Sequence, residues 1–195
     1  MKNEFLKIGQ KPRSANMRMG VVSDSHKNLD NLKSAARKLI EEKVQAIIHL
    51  GDDYDDAKVL EEFPVEVVKI PGVFSTYYQD PQTPNRLVRE FGGVKTLITH
   101  APTPHKNDPP GELSPQELID CERIKVILYG HTHVPEIKEK NGVLWVNPGH
   151  LQKEDKKGFP PSFVVVDFDK GKVTGRLVDL RQGKDLVKYQ FSLTS

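Results

Sequence analysis

Six side chains that can ligate a metal ion, two carboxylates and four imidazoles, stand where apolar runs of the chain break off. Asp24 and His26 follow the run 17–23 (MRMGVVS), and Asp52 follows 45–50 (QAIIHL) across Gly51. His100 ends the run that begins at Val94, and His131 and His133 follow 124–129 in the order Gly-His-Thr-His. Neutral imidazole nitrogen mixed with carboxylate oxygen suits Mn, Fe, Zn or Ni, not Cu(I) or a sulfur-held cluster. Taken singly each fragment is weak. Asp-x-His and Gly-Asp arise by chance, and a lone histidine at a strand end is more often simply hydrogen-bonded. Gly-His-x-His is more specific, and the ordered set argues for one shared site.

The run 17–23 is a buried strand. Leu29, Leu32, Ala36, Leu39 and Ile40 recur at helical spacing behind Asn28, a helix cap. With the strand at 45–50 this makes a βαβ unit. A short helix with Ala57, Leu60 and Phe63 on one face, capped by Asp55 or Asp56, stops at Pro64. Strands follow at 65–70, 86–91, 94–99 and 124–129. A capping box, Ser114-Pro115-Gln116-Glu117, opens a helix before the last of these. Beyond Gly130 the pattern is all β, with strands at 134–139, 143–147, 162–168, 173–180 and 186–193, and this last third is expected to be antiparallel. Together the segments predict an α/β fold of two mixed β-sheets packed face to face and flanked by helices, a four-layer αββα sandwich. The carboxyl ends of parallel strands open on a common crevice, where the six side chains would meet.

These motifs resemble those of the calcineurin-like metallophosphoesterases, in the small single-domain phosphodiesterase branch that also includes the retromer scaffold subunit. Asp24-Ser25-His26 is similar to the family's D-x-H motif, and Gly51-Asp52 to its G-D motif. His100 matches the lone histidine, Gly130-His131-Thr132-His133 the G-H-x-H motif, and Asn147-Pro148-Gly149 the N-P-G turn. The resemblance runs from about Met17 to the C-terminus. It implies that Asp24, His26 and His133 hold one metal, that His100 and His131 hold a second, and that Asp52 bridges them. It also implies hydrolysis of phosphodiesters by attack of a metal-bridging hydroxide, with two divalent ions, Mn first and Fe, Zn or Ni as alternatives.

One segment departs from the family pattern. The third strand of the family is followed by Gly-Asn, the amide ligating the second metal, and often by a histidine that helps the leaving group depart. Here the segment is Gly72-Val73-Phe74-Ser75. Val73 has no donor atom, so the second site is expected to be weakened unless Ser75, Thr76, Asp53 or water replaces the amide. The paired His-Gly-His is also incomplete, reading His100-Ala101-Pro102. A departing alkoxide needs a proton or a cation. An activated leaving group is therefore expected unless His105 or His150 supplies the proton. Asp52, His100 and His150 are the expected catalytic residues.

Other candidates have ordinary readings beside the functional ones. His49 lies inside a strand and is expected to be a packed histidine. His105 sits in a proline-rich loop, either a rim of the site or a stiff connection. Asp53 could support a ligand. Tyr77 and Tyr78 could flank a base, but covering the core is favoured. Cys121 is expected to be a small buried hydrophobe.

Composition excludes several classes. Lys and Arg outnumber Asp and Glu by 29 − 27 = 2, too small an excess for a protein that coats nucleic acid. A single cysteine excludes an internal disulfide and a cysteine-based zinc site. No apolar run approaches the roughly 18 residues of a membrane span, and residues 1–14 lack the apolar segment of a secretory signal. The 195 residues are expected to form an extension over 1–16 and one domain over 17–195. The expected protein is cytoplasmic, acts on a small phosphodiester or nucleotide-type substrate, and binds neither membrane nor, strongly, nucleic acid; a homodimer is allowed. The rival reading is a scaffold or interaction module that keeps this fold with a weak site.

Overall fold

A computed structural model describes residues 16–192 of the chain. The expected extension lies outside the described residues, except that Asn16 already belongs to the first strand. β1 (Asn16–Val22), β2 (Ala46–His49) and β3 (Glu66–Lys69) run parallel. With β9 (Ser162–Asp169), β10 (Lys172–Asp179) and β11 (Asp185–Ser192) they form a six-stranded sheet in the order β11-β10-β9-β1-β2-β3. The second sheet has five strands, β4 (Arg86–Phe91), β5 (Val94–Thr99), β6 (Val126–Leu128), β7 (Glu136–Lys140) and β8 (Val143–Asn147), ordered β4-β5-β6-β8-β7.

β1 and β6 bury apolar side chains on both faces, which is why they read as largely apolar runs. Met19, Val21, Ile48, Ile98, Leu128, Val146, Val164 and Phe168 fill the space between the sheets. On the outer face of the first sheet lies α1 (Leu29–Glu41), whose Leu32, Ala35, Ala36 and Leu39 are buried against Ile47 and Val165. Asn28 caps it as expected, its side chain accepting from Asn31 N at 3.2 Å. A Cβ on Gly20 would stand 2.7 Å from Leu39 Cδ1, so glycine in β1 lets the helix approach. On the outer face of the second sheet lies α2 (Pro115–Glu122), its Ile119 packed with Leu97 and Ile127. Its capping box is complete, with Glu117 N to Ser114 Oγ at 3.2 Å and Ser114 N to Glu117 Oε2 at 2.7 Å.

Two expectations are corrected. The last third is not wholly antiparallel: β8 pairs with β6 in parallel, Leu128 opposite Val146. The hairpin through β7 turns the chain round, so β8 runs alongside β6 in the same direction, a fact no periodicity encodes. The segment after Asp52 is a 3-10 helix over Tyr54–Glu62, and neither Asp55 nor Asp56 caps it. Asp53 holds the cap position without a side-chain bond.

Candidate metal centre

The parallel strands deliver their ends together. Leu50 N bonds Val22 O at 2.9 Å, Asp24 N bonds Gly51 O at 3.1 Å, and Gly130 N bonds His100 O at 2.9 Å. Beyond these points the chain turns sharply. Asp24, His26, Asp52, His131 and His133 all have positive φ, at 52°, 45°, 85°, 65° and 57°. Such conformations cost a non-glycine residue about 1–3 kcal/mol and persist where the surroundings fix them. Those surroundings are visible around Asp24. Its Oδ2 accepts from the Ser23 hydroxyl and from His131 N at 3.0 Å, and its carbonyl accepts from Leu151 N at 3.1 Å. A Cβ on Gly130 would lie 2.6 Å from Asp24 Oδ2, and one on Gly72 2.7 Å from Asp52 N. Both glycines clear space for a carboxylate residue. Asn147, of the Asn-Pro-Gly turn, donates to Gly130 O at 3.2 Å and Thr132 Oγ1 at 2.8 Å, bracing the loop that carries His131 and His133.

The side chains converge in two overlapping groups, Asp24 with His26 and His133, and Asp24 with Asp52 and His100; within each group the potential ligand atoms lie within 4.8 Å of one another. His26 links them, with Nδ1 2.5 Å from Asp52 Oδ2 and Nε2 3.0 Å from His133 Nε2. His133 Nε2 is 3.3 Å from Asp24 Oδ1. His100 Nδ1 bonds Leu50 O at 2.8 Å, which places the ring proton there and leaves Nε2 a bare acceptor. That Nε2 is buried with no hydrogen-bond partner. An orphaned imidazole lone pair among carboxylates fits a cation. His131 lies beside His100, ring centroids 5.1 Å apart, but outside the two groups of converging atoms.

The electrostatics of the centre's side chains follow from these contacts. Burial would push the Asp24 carboxyl up, but the hydrogen bond with His133, the nearby His100 and the Ser23 hydroxyl outweigh it and hold it at about 2. The hydrogen bond to Asp24 raises His133 to about 9, against burial and with help from Asp155. Asp52 raises His26 likewise, whereas burial and then His100 lower His131. A metal ion taking His133 must therefore displace a proton at neutral pH. Apparent metal affinity is expected to climb with pH up to about 9 and then level off. Calorimetric titrations with Mn²⁺ in buffers of different ionisation enthalpy will report the proton released per ion. No release at pH 7 contradicts the assignment of His133.

Several groups that hold the centre carry no signature in the sequence. Asp155 Oδ1 meets His133 Nδ1 at 2.9 Å, and its other oxygen accepts from Lys157 N at 2.8 Å. Its side chain is only 7% exposed. A carboxylate behind a ligating imidazole fixes the ring and raises its basicity. Asp56 ties down the loop of His26 by accepting from Ser25 Oγ at 2.7 Å and Lys27 N at 2.8 Å. His49 is a packed residue, as expected. It is fully buried, accepts from Gly51 N at 3.3 Å, and burial lowers it to about 4.

His150, an expected catalytic residue, has its ring 5.7 Å from that of His133 and both ring nitrogens in contact with backbone groups. It is fully buried, its Nδ1 accepts from Gln152 N at 3.1 Å, and its Nε2 lies 3.1 Å from Phe159 O, to which it donates. Neither nitrogen is free to give a proton to a leaving group; the ring holds the loop that carries Asp155. Val73 is 1% exposed and packs with Tyr78 and Ala101, so it offers the centre no donor. Ser75, a candidate replacement, caps the following 3-10 helix by accepting from Tyr77 N at 3.3 Å. Tyr78 is buried, as expected, with its hydroxyl on Asp108. Cys121 is exposed rather than buried, on the solvent side of α2. Among the described residues no helix is long and apolar enough to cross a membrane.

The family model of the calcineurin-like phosphoesterase superfamily domain matches residues 17–171. Phosphodiesterase MJ0936 of Methanocaldococcus jannaschii is 28% identical over 148 residues, 68% of this chain and 83% of that protein. The probable metallophosphoesterase YsnB of Bacillus subtilis is 25% identical over 186 residues, 91% of this chain and 99% of the relative. Among solved structures, Vps29 of Chaetomium thermophilum superposes with a TM-score of 0.70 at 16% identity, covering 91% of this chain and 100% of that one, a likeness of fold. Strand order, the strand-end carboxylates and imidazoles, and the matched family model agree: the chain belongs to the calcineurin-like phosphoesterase superfamily.

Proposed function

We propose that the protein is a divalent-metal-dependent phosphodiesterase with room for two ions. The observation that carries this reading is the buried, unpartnered His100 Nε2 grouped with Asp24 and Asp52, beside a second group that shares Asp24. A relative named as a phosphodiesterase supports the substrate class. When bound, divalent ions neutralise phosphoryl oxygens and activate water for in-line attack. The chain's own residues do the positioning. Leu50 O fixes the His100 tautomer, Asp155 orients His133, and Ser23 and the His131 amide hold Asp24. The nitrogen and oxygen donors suit Mn²⁺, Fe, Zn or Ni, and Mn²⁺ is the ion we propose first. With His150 engaged elsewhere, His105, whose ring lies 5.7 Å from that of His131, is the remaining candidate proton donor; without it a substrate that leaves as a weak base is preferred. Mn²⁺ titration of the metal-free protein, read by metal analysis and by hydrolysis of bis(p-nitrophenyl) phosphate, tests the reading. Two ions bound and turnover strictly dependent on them are expected. Binding without turnover of any diester at saturating metal moves the protein to the scaffold reading, which the Val73-Phe74 replacement favours.

Val73→Asn separates the two requirements at that position. The amide adds a potential ligand, and a tenfold tighter second site corresponds to about 1.4 kcal/mol. In the metal-free protein the same amide is buried with Tyr78 and Ala101, at a cost of about 1–3 kcal/mol if unsatisfied. We expect a lower melting temperature without metal and a higher rate at limiting Mn²⁺. A wild type that already binds two ions tightly, with no change in the variant's titration, shows that another group fills the place.

A further inference from the structure

We propose that Phe74 and His105 form a stacking wall at the mouth of the centre, which selects phosphoesters carrying a planar aromatic group, an aryl ring or a nucleobase. The proposal deepens the phosphodiesterase reading and rests on it for the position of the phosphoryl group. Phe74 is 69% exposed, more than any other large hydrophobic side chain among the described residues. It is not a stray surface residue. Its ring stands edge-on to His105, with centroids 5.3 Å apart and planes at 86°, and lies 6.4 Å from the ring of His131. His105 is in turn 5.7 Å from His131. Two aromatic rings from separate loops therefore border the imidazole of the Gly-His-Thr-His motif, where the sequence lacks the expected polar ligand.

The wall is held in place from behind. Val73, next to Phe74, is pegged into its apolar cluster, and its carbonyl accepts from Asn107 Nδ2 at 2.8 Å. The Asn107 backbone N–H donates to His105 Nδ1 at 3.2 Å, and His105 N donates to Asp108 Oδ2 at 3.0 Å. Asp108 is fixed by Arg86 at 2.8 Å and by the Tyr78 hydroxyl at 2.6 Å. The same residues thus tie the Phe74 loop to the His105 loop. A preformed aromatic surface loses little conformational freedom when a ring stacks on it, and stacking tolerates any ring because every base has a π-face. At the His26 end, by contrast, the surface opens into a polar cleft lined by Lys27, Gln152, Lys153 and Glu154. The asymmetry places the aromatic arm of an ester at the His131 end.

The test compares wild type, Phe74→Ala and Phe74→Trp as Mn²⁺-loaded proteins. Calorimetry measures binding of adenosine 5′-monophosphate, phenyl phosphate and methyl phosphate, and steady-state kinetics use bis(p-nitrophenyl) phosphate. Phe74→Ala is expected to weaken an aromatic ligand about tenfold, to change methyl phosphate less than twofold, and to place its loss of turnover in KM; tryptophan restores binding. Loss with the nucleotide alone identifies a nucleobase, loss with phenyl phosphate alone an aryl ring, and loss with both the shared planar group. Equal loss of methyl phosphate, or no loss at all, overturns the wall. So does a change in sedimentation with ligand affinities intact, which makes Phe74 a contact between copies. If the wild type hydrolyses no diester yet loses aromatic affinity on Phe74→Ala, the phosphodiesterase reading falls and the wall stands. If turnover is normal and aromatic affinity ignores Phe74, the reverse holds.

Discussion

Asp52→Asn will strip the centre of metal and lower diester hydrolysis by about 10³-fold while the protein stays folded. The substitution suits its backbone. Asp52 sits at φ 85°, a conformation that asparagine tolerates far better than alanine does. Size and shape are kept, and what changes is one negative charge and one ligand oxygen. Asp52 belongs to the group with Asp24 and His100, and its Oδ2 also lies 2.5 Å from His26 Nδ1. Its loss therefore reaches both halves of the centre. Metal stabilisation of phosphoryl transfer is worth several kcal/mol, and each 1.4 kcal/mol is about tenfold in rate. Metal content and rate should fall together. His49→Gln is the contrasting variant. His49 is fully buried in β2 and accepts from Gly51 N at 3.3 Å, so its replacement should lower the melting temperature and leave metal content near wild type. Metal-free Asp52→Asn that hydrolyses the diester at full rate removes Asp52 from the mechanism.

What the sequence makes legible here, and what it hides, has a physical pattern. The six candidate ligands are visible because a buried strand must end before a polar residue, and the break is sharp at Asp24, Gly51-Asp52, His100 and Gly130. Strands of the second sheet are visible one by one, yet the parallel pairing of β8 with β6 is not, because apolar content does not record direction. Asp155 is hidden in a run of charged residues, Lys153 to Lys157, where one carboxylate looks like any other. Only folding of the loop onto His133 singles it out. Asp56 is masked by a plausible helix cap that the structure does not use. His150 follows the Asn-Pro-Gly turn, and closeness in sequence does not reveal the two backbone hydrogen bonds that engage its ring. Val73 reads correctly as a missing donor, but its packing with Tyr78 and Ala101 and its link to Asn107 need three dimensions.

His133→Ala should have the second large effect, and it will appear in stability as well as in metal binding. Without metal, His133 lies between two carboxylates, 3.3 Å from Asp24 and 2.9 Å from Asp155. It is held protonated up to about pH 9. A raised folded-state pKa adds stability that is complete below the unfolded value near 6.5 and fades as pH rises through about 9. The side chain is partly exposed, so solvent screening trims the gain to about 1–3 kcal/mol. Metal-free His133→Ala should therefore melt below wild type at pH 6, and the gap should close by pH 10. Metal binding follows a separate route. The group of Asp24, His26 and His133 loses one of its three members, and affinity there should drop at least 100-fold. Asp155→Ala touches no ion and should cost about 10–100-fold through the orientation of the ring. A double-mutant cycle decides whether Asp155 works through His133. In the His133→Ala background, removal of Asp155 should cost no further metal affinity, because the ring that it orients is gone. Additive losses would give Asp155 a role of its own, and unchanged metal occupancy in His133→Ala would remove the second histidine of the motif from the centre.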